Sequence, residues 1–324
     1  MSRRHLISQL AHVEVLSPKP AETVAFLHDV LGLEANGQAG QSAFLRGWGD
    51  LFHHSLKVTE APNAGLGHIG WRAGGAEELR IAAQLLADGG HGEGWTEGDT
   101  GHGPAYRFRN PEGHVNEVFW DVEWFEADAA QRSPLPNRPQ KFQPRGAAVR
   151  RIDHVTVFCN DVAANREFYC DLGWKHMEST HLDADDREVA AFASTGPMAH
   201  DIGLIGDRSG GRGRLNHFAF WLDTREDVLR AADVMRDAGA FIENGPGRHG
   251  IGEAFFLYVR EPGGNRIELF SGGYQVFAPD WGPIRWKASQ RGDSYWLGHF
   301  DETLNQYGTP DVPVPAQDVA AVGE

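Results

Sequence analysis

Arg248–Phe270 reads RHGIGEAFFLYVREPGGNRIELF, two apolar runs joined by Glu261-Pro262-Gly263-Gly264-Asn265. Turn residues of this kind fold Ala254–Arg260 back beside Arg266–Phe270 as a hairpin. Successive side chains of a strand point to opposite faces, so Glu268 shares a face with Arg266 and Phe270, opposite Ile267 and Leu269. A carboxylate in so apolar a strand needs a partner, because desolvating it without one is costly. Arg266 or Arg260 could neutralise it, and so could a bound cation. Tyr258 stands on the other arm of the same hairpin.

The hairpin has a counterpart upstream, Asn110–Phe119, NPEGHVNEVF, with Glu117 in the place of Glu268. Working outward, Gly67-His68-Ile69-Gly70-Trp71 is echoed by Asn216-His217-Phe218-Ala219-Phe220, and Ala11–Leu16 (AHVEVL) by Ile152–Phe158 (IDHVTVF). Each early strand precedes a short helical stretch, Ala21–Leu31 before Gly32 and Val162–Leu172 before Gly173, the second with Asn160 or Asp161 as N-cap. The offset between copies drifts only from about 142 (His12 to His154) to about 151 (Glu117 to Glu268), which marks a duplicated domain. Each copy reads strand, helix, strands, and then the same again, so each domain holds two βαβββ modules of an α+β fold.

The expected organisation is a domain over 1–125, an exposed Pro-rich linker over 126–150, and a second domain over 151–278. An aromatic-rich segment, 279–307, carries Trp281, Trp286, Tyr295, Trp296, Phe300 and Tyr307 and is expected to cover the second domain or contact another subunit. Residues 308–324 are expected to be disordered.

Composition narrows the function. The chain has 324 residues, 41% hydrophobic and 23% charged, enough for two domains with real cores. Acidic residues outnumber basic ones by 45 to 30 and no basic run occurs, which argues against nucleic acid or anionic membranes as partners. No apolar stretch is long enough to span a bilayer and no signal-like h-region follows the N-terminus, so a cytoplasmic protein is expected. The two cysteines, Cys159 and Cys170, are expected to be reduced.

The later copy concentrates the chemistry. His154 and His217 lie mid-strand, and with Glu268 they put one N or O ligand at each of three equivalent strand centres. Two His and one carboxylate on one side of a metal leave its other side open, as in non-haem Fe(II) oxygenases. Residue types alone leave Zn and Mn(II) open. A closed structural site would want four protein ligands, usually with Cys among them.

These residues resemble the type I extradiol dioxygenases, the catechol 2,3-dioxygenase group of the vicinal oxygen chelate superfamily. The similarity runs from about His12 to Trp286 and is most specific in GPGRHG…AFFLYVREPGGNRIELF, which contains Arg248, His249, Tyr258 and Glu268. The resemblance implies two tandem domains, each an open mixed barrel, with the metal in the second and the first degenerate or inactive. It implies Fe(II), with Mn(II) possible, on His154, His217 and Glu268. It makes His200, in Met198-Ala199-His200-Asp201, the acid/base residue, and gives Tyr258 and His249 the task of hydrogen-bonding substrate oxygens. Substrates would be a catechol and O2, the product a ring-opened semialdehyde, and the protein a homo-oligomer.

Departures from that family bear on specificity. Members that take a carboxylate-bearing catechol place Arg where Asn244 stands and Asn where Thr156 stands, so a bidentate anion clamp is missing. Arg285 or Arg291 of the tail could replace it. A neutral catechol is therefore expected, with Thr156, Asn244, Arg248 and Arg291 as substrate-binding positions. The alternatives are a glyoxalase-like isomerase or thiol transferase, or a non-catalytic protein that sequesters an aromatic ligand. The first copy keeps His12, His68 and Glu117, expected to be relics of duplication.

Overall fold

In this computed structural model, residues 5–296, 304 and 306–312 are described. Phe300 and residues 313–324 lie outside them, as do the expectations that fall there.

The first domain runs β1 (Ile7–Ser17), α1 (Pro20–Ala25), β2 (Glu34–Ala39), β3 (Ser42–Arg46), β4 (Leu56–Glu60), β5 (Gly65–Ala73), α2 (Ala76–Asp88), β6 (Gly92–Thr96), β7 (Ala105–Arg109) and β8 (Val115–Phe119). Its strands form one mixed sheet in the order β2-β3-β4-β1-β5-β8-β7-β6. The second domain runs β9 (Arg151–Cys159), α3 (Val162–Asp171), β10 (Lys175–His181), β11 (Glu188–Ser194), β12 (Ile202–Gly206), β13 (Leu215–Trp221), α4 (Arg225–Asp237), β14 (Phe241–Arg248), β15 (Ala254–Arg260) and β16 (Arg266–Gly272). A further strand, β17 (Ile284–Lys287), pairs parallel with β10, and the sheet order is β14-β15-β16-β13-β9-β12-β11-β10-β17. The order repeats that of the first domain, with β17 added at one edge. Two tandem α+β domains of two βαβββ modules each are what the internal repeat implied.

Local sequence accounts for the helix ends. Asp161 caps α3 by accepting from the Ala164 N–H, and Thr224 with Asp227 forms a capping box on α4. The first helix departs from the expected Ala21–Leu31. It is α-helical only over Pro20–Ala25 and continues as a π turn, Phe26–Val30. Gly32 follows with φ of +83°, where a Cβ would sit 2.1 Å from the Arg145 carbonyl oxygen.

That contact belongs to a linker less exposed than its prolines suggest. Gln140 and Ala147–Val149 are buried, and the Arg145 guanidinium donates to the His28 and Leu33 carbonyls. The stretch from 308 also differs from expectation as far as Val312. Thr309 is buried and exchanges hydrogen bonds with the Leu215 backbone, and Gly308 packs on Phe158.

One apolar core spans both domains. At the junction the fully buried Trp71 meets Trp174 edge-on at 4.9 Å, and the Trp71 indole N–H and Tyr169 hydroxyl both donate to Asn116 Oδ1. The two domains also grip each other reciprocally through their last hairpin turns. Glu261 accepts from Thr23, and Asn265 donates to the Leu16 carbonyl. In the mirror contact Glu112 accepts from Asn160, and a His114 ring nitrogen meets the Arg214 carbonyl. Both cysteines are free thiols.

Candidate metal centre

The sheet order places β16, β13 and β9 side by side, so three strand centres fall next to one another. In β13 an irregularity between Leu215 and His217 leaves Asn216 as an extra residue and brings His217 opposite Thr156. On the other side of β16, Tyr258 pairs directly with Glu268. His154 and His217 aim Nε2 at Glu268 Oε2 from 2.9 and 3.0 Å, and the two Nε2 atoms are 3.2 Å apart. All three side chains are buried.

What lies behind each ring shows which nitrogen faces the centre. His154 Nδ1 donates to the Asp153 carboxylate at 2.9 Å, and Arg151 holds the other carboxylate oxygen at 2.9 Å. His217 Nδ1 donates to Asn216 Oδ1 at 2.7 Å, and that oxygen also accepts from Arg266, itself in a two-point pair with Glu243. With both Nδ1 hydrogens committed, each ring in its neutral form presents a bare Nε2 lone pair to a carboxylate, while for His154 burial acts downwards but Asp153 and Glu268 prevail and raise its pKa to about 9. Glu268 Oε1 is buried without a hydrogen-bond partner. Two imidazoles, one carboxylate and an orphaned oxygen fit a divalent first-row ion held on one side. Neither arginine weighed for Glu268 serves it, since Arg266 and Arg260 both pair with Glu243.

The sequence matches the glyoxalase/bleomycin resistance protein/dioxygenase superfamily over residues 9–118 and 151–269. It is 38% identical over 310 residues to the metapyrocatechase of Geobacillus stearothermophilus, covering 94% of each chain. It is 40% identical over 299 residues to the manganese-dependent 2,3-dihydroxybiphenyl 1,2-dioxygenase of Geobacillus genomosp. 3, covering 90% of this chain and 94% of that relative. The chain belongs to the extradiol ring-cleaving dioxygenases of that superfamily. Homoprotocatechuate 2,3-dioxygenase from Arthrobacter globiformis superposes with a TM-score of 0.84 at 26% identity, over 95% of this chain and 93% of that one. The metal site lies in the later domain, on His154, His217 and Glu268.

Around the triad a cavity of about 80 Å³ is lined by Thr156, His200, His249 and Tyr258 among polar groups and by Phe192, Ile205, Ile251, Phe270 and Leu304 among apolar ones. The His200 ring lies 4.3 Å from that of His154 and 5.0 Å from Phe192, and its Nδ1 has no partner. Burial pushes its pKa well below the ordinary histidine value, so it is neutral. His249 Nδ1 donates to the Asp293 carbonyl, which leaves Nε2 to accept the Tyr258 hydroxyl at 3.1 Å. The ring stacks on Phe256 at 3.9 Å. Burial, then the neighbouring Glu268, raises the Tyr258 pKa well above its usual value and keeps the hydroxyl protonated. For Glu268 burial acts upwards, but the surrounding imidazoles of His154, His217 and His249 prevail and hold its pKa well below the usual carboxylate value.

Three expected substrate contacts stand elsewhere. Asn244 pairs with Tyr258 across β14 and β15, outside the cavity wall. Arg248 ends β14, with its guanidinium 6.0 Å from the Tyr295 ring. Arg291 lines a neighbouring cavity of about 360 Å³, which shares Phe192, Ile205, Ile251 and Asp293 with the first. Residues that sequence reasoning missed include Asp153 and Asn216. Strict alternation assigns each to the face opposite its histidine, and only adjacency to His154 and His217 hinted at them. Asp293 and Leu304, from the segment after β16, also reach the cavity.

Proposed function

We propose that this protein cleaves neutral catechols beside the diol with O2, giving a yellow semialdehyde of the 2-hydroxymuconic type. The single observation that carries this reading is the His154–His217–Glu268 triad opening onto a cavity that also holds His200 and Tyr258. An iron or manganese(II) ion held there, when bound, supplies Lewis acidity and open positions at which the diol and dioxygen meet. The protein's own residues do the rest. Asp153 and Asn216 lock both ligand rings with Nε2 inward, which prepares the site before anything binds. His200 is neutral, so its lone pair can take a diol proton and its conjugate acid can return that proton later. Tyr258, protonated and oriented by His249, offers a hydrogen bond towards charge that develops on a substrate oxygen. Phe192, Ile205, Ile251 and Phe270 exclude water and press on the aromatic ring.

No Lys or Arg lines this cavity among the described residues, which supports an uncharged ring. The adjoining cavity past Phe192 and Ile251 gives an alkyl or aryl substituent somewhere to go. We assign the segment after β16 the role of covering the site, since Gly292 accepts from the Gly250 and Ile251 N–H groups and Asp293 holds His249. Phe277, Trp281, Tyr295 and Trp296 on that segment are exposed, which supports contact with a second copy in a cytoplasmic homo-oligomer.

The test is oxygen uptake and visible absorbance with catechol, methylcatechol, phenylcatechol and carboxymethylcatechol. Both oxygen atoms should enter the product, one O2 per ring opened. Neutral substrates should lead the charged one by about tenfold or more in kcat/KM, in keeping with an absent anion clamp. Metal-loaded protein that leaves every catechol colourless would refute the proposal.

A further inference from the structure

The first domain repeats the geometry of the metal centre more fully than its sequence suggests. His12, His68 and Glu117 come from β1, β5 and β8, the counterparts of β9, β13 and β16. A fourth group joins them, His102, from the loop before β7. Glu117 Oε1 lies 3.1 Å from His68 Nε2, 3.1 Å from His102 Nε2 and 3.5 Å from His12 Nε2. The His12 and His68 Nε2 atoms are 2.7 Å apart. Ligand atoms of His12, His102 and Glu117 all lie within 4.8 Å of one another.

Two observations separate this cluster from an ordinary buried hydrogen-bond network. First, Glu117 Oε1 and His102 Nε2 are both buried without a hydrogen-bond partner, although three ring nitrogens surround that oxygen. Second, the outward nitrogens of two of the three rings are spoken for. His102 Nδ1 donates to the Gly103 carbonyl at 2.9 Å, and His68 Nδ1 donates to the Glu14 carboxylate at 2.7 Å. Nε2 of His68 and His102 therefore faces the carboxylate, which leaves a position between the rings and Glu117 for a divalent cation.

The neighbourhood is built around the rings. His12 pairs with Gly70 across β1 and β5, and a Cβ at Gly70 would lie 2.3 Å from the imidazole. Phe119 stacks on His102 at 4.2 Å, with planes inclined by 15°. What differs from the catalytic domain is room and a hydroxyl. The cavity beside the cluster is only about 10 Å³, against about 80 Å³ around the triad, and Arg107 pairs with Glu117 where Tyr258 pairs with Glu268.

We propose that the first domain holds a second divalent metal ion, ligated by His12, His68, His102 and Glu117, closed to substrate and structural in role. Four protein donors, three imidazoles and one carboxylate, are the number and kind that a structural Zn(II) site takes. Such an ion ties β1, β5, β8 and the loop that carries His102 to one point, so its binding stabilises the domain.

The test uses the full chain, stripped with chelator, reloaded with Zn(II), desalted and analysed for bound metal. The wild-type protein should carry two ions per chain. The double variant His154→Ala, His217→Ala should keep one, and its thermal midpoint should rise by several degrees on Zn(II) addition. Adding Glu117→Gln and His102→Ala to that background should remove both the remaining ion and the Zn(II)-induced shift. A wild-type chain with one ion, all of it lost in the His154→Ala, His217→Ala variant, would overturn the proposal while leaving the catalytic reading intact. That deciding measurement involves no change in the first domain, so it stands even if the later variants fold poorly.

Discussion

His200 and Glu243 show how one side chain's surroundings set its task. His200 is buried against Phe192 and His154, with no carboxylate hydrogen-bonded to it, so it rests neutral and ready to accept a proton. Replacing it with Asn should lower kcat by about 10²–10⁴-fold, a usual worth for a positioned acid/base group, with metal content unchanged. Steady-state kinetics alongside metal analysis checks both halves. Glu243 has the opposite character. Its side chain is 2% exposed and joins Arg260 and the fully buried Arg266, which in turn holds Asn216 behind His217. Burial tends to raise its pKa, but hydrogen bonds from Arg266 and Arg260 outweigh that and hold it below the ordinary value. A carboxyl depressed in the folded state contributes its full stability above the unfolded pKa and loses it as pH falls through the folded one. Glu243→Gln should therefore cost about 3–5 kcal/mol near neutrality, because a buried guanidinium loses its counter-charge, and distinctly less in acid. Urea denaturation at the two pH values gives the difference.

At the scale of the element, end signals were legible where a side chain meets its own backbone. Asp161, one of the two N-caps expected for α3, accepts from the Ala164 N–H, and Thr224 with Asp227 closes a capping box on α4 that the repeat did not point to. Thr224→Ala should lower stability by about 1 kcal/mol, read from the urea midpoint, with no effect on turnover. The π turn after α1 was not legible, because the pattern of apolar residues over Ala21–Leu31 suits either helix type. Nor was β17. Four residues, Ile284–Lys287, become a strand only because β10 offers an open edge about 100 residues earlier in the chain and Trp286 reaches Glu178 and the cluster of Ala190, Phe192 and Ile251. Sequence proximity says nothing about such an edge.

Across the whole molecule the duplication matters more than the boundary between copies. Trp71 of one copy packs on Trp174 of the other, and each copy's last hairpin turn hydrogen-bonds the other's first module. The two domains should unfold together, in one transition seen alike by fluorescence and by far-UV circular dichroism. Trp71→Ala should destabilise that single transition by about 3–5 kcal/mol rather than split it, since the cavity would open in the shared core. Two separate transitions in calorimetry would contradict this.

Sequence by itself determined the repeat, the βαβββ modules and the identity of His154, His217 and Glu268. Strand periodicity is local, and duplication copies it in register, so equivalent centres announce themselves without coordinates. Only the tertiary structure decided which groups stand around them. Asp153 and Asn216 turn to the rings, Arg266 serves Glu243 rather than Glu268, Arg291 lies in the adjoining cavity, and His102 joins a cluster that the repeat alone gave three members. Those contacts come from loops, bulges and strands distant along the chain, and a side chain's partner there is set by packing in three dimensions, which no local pattern records.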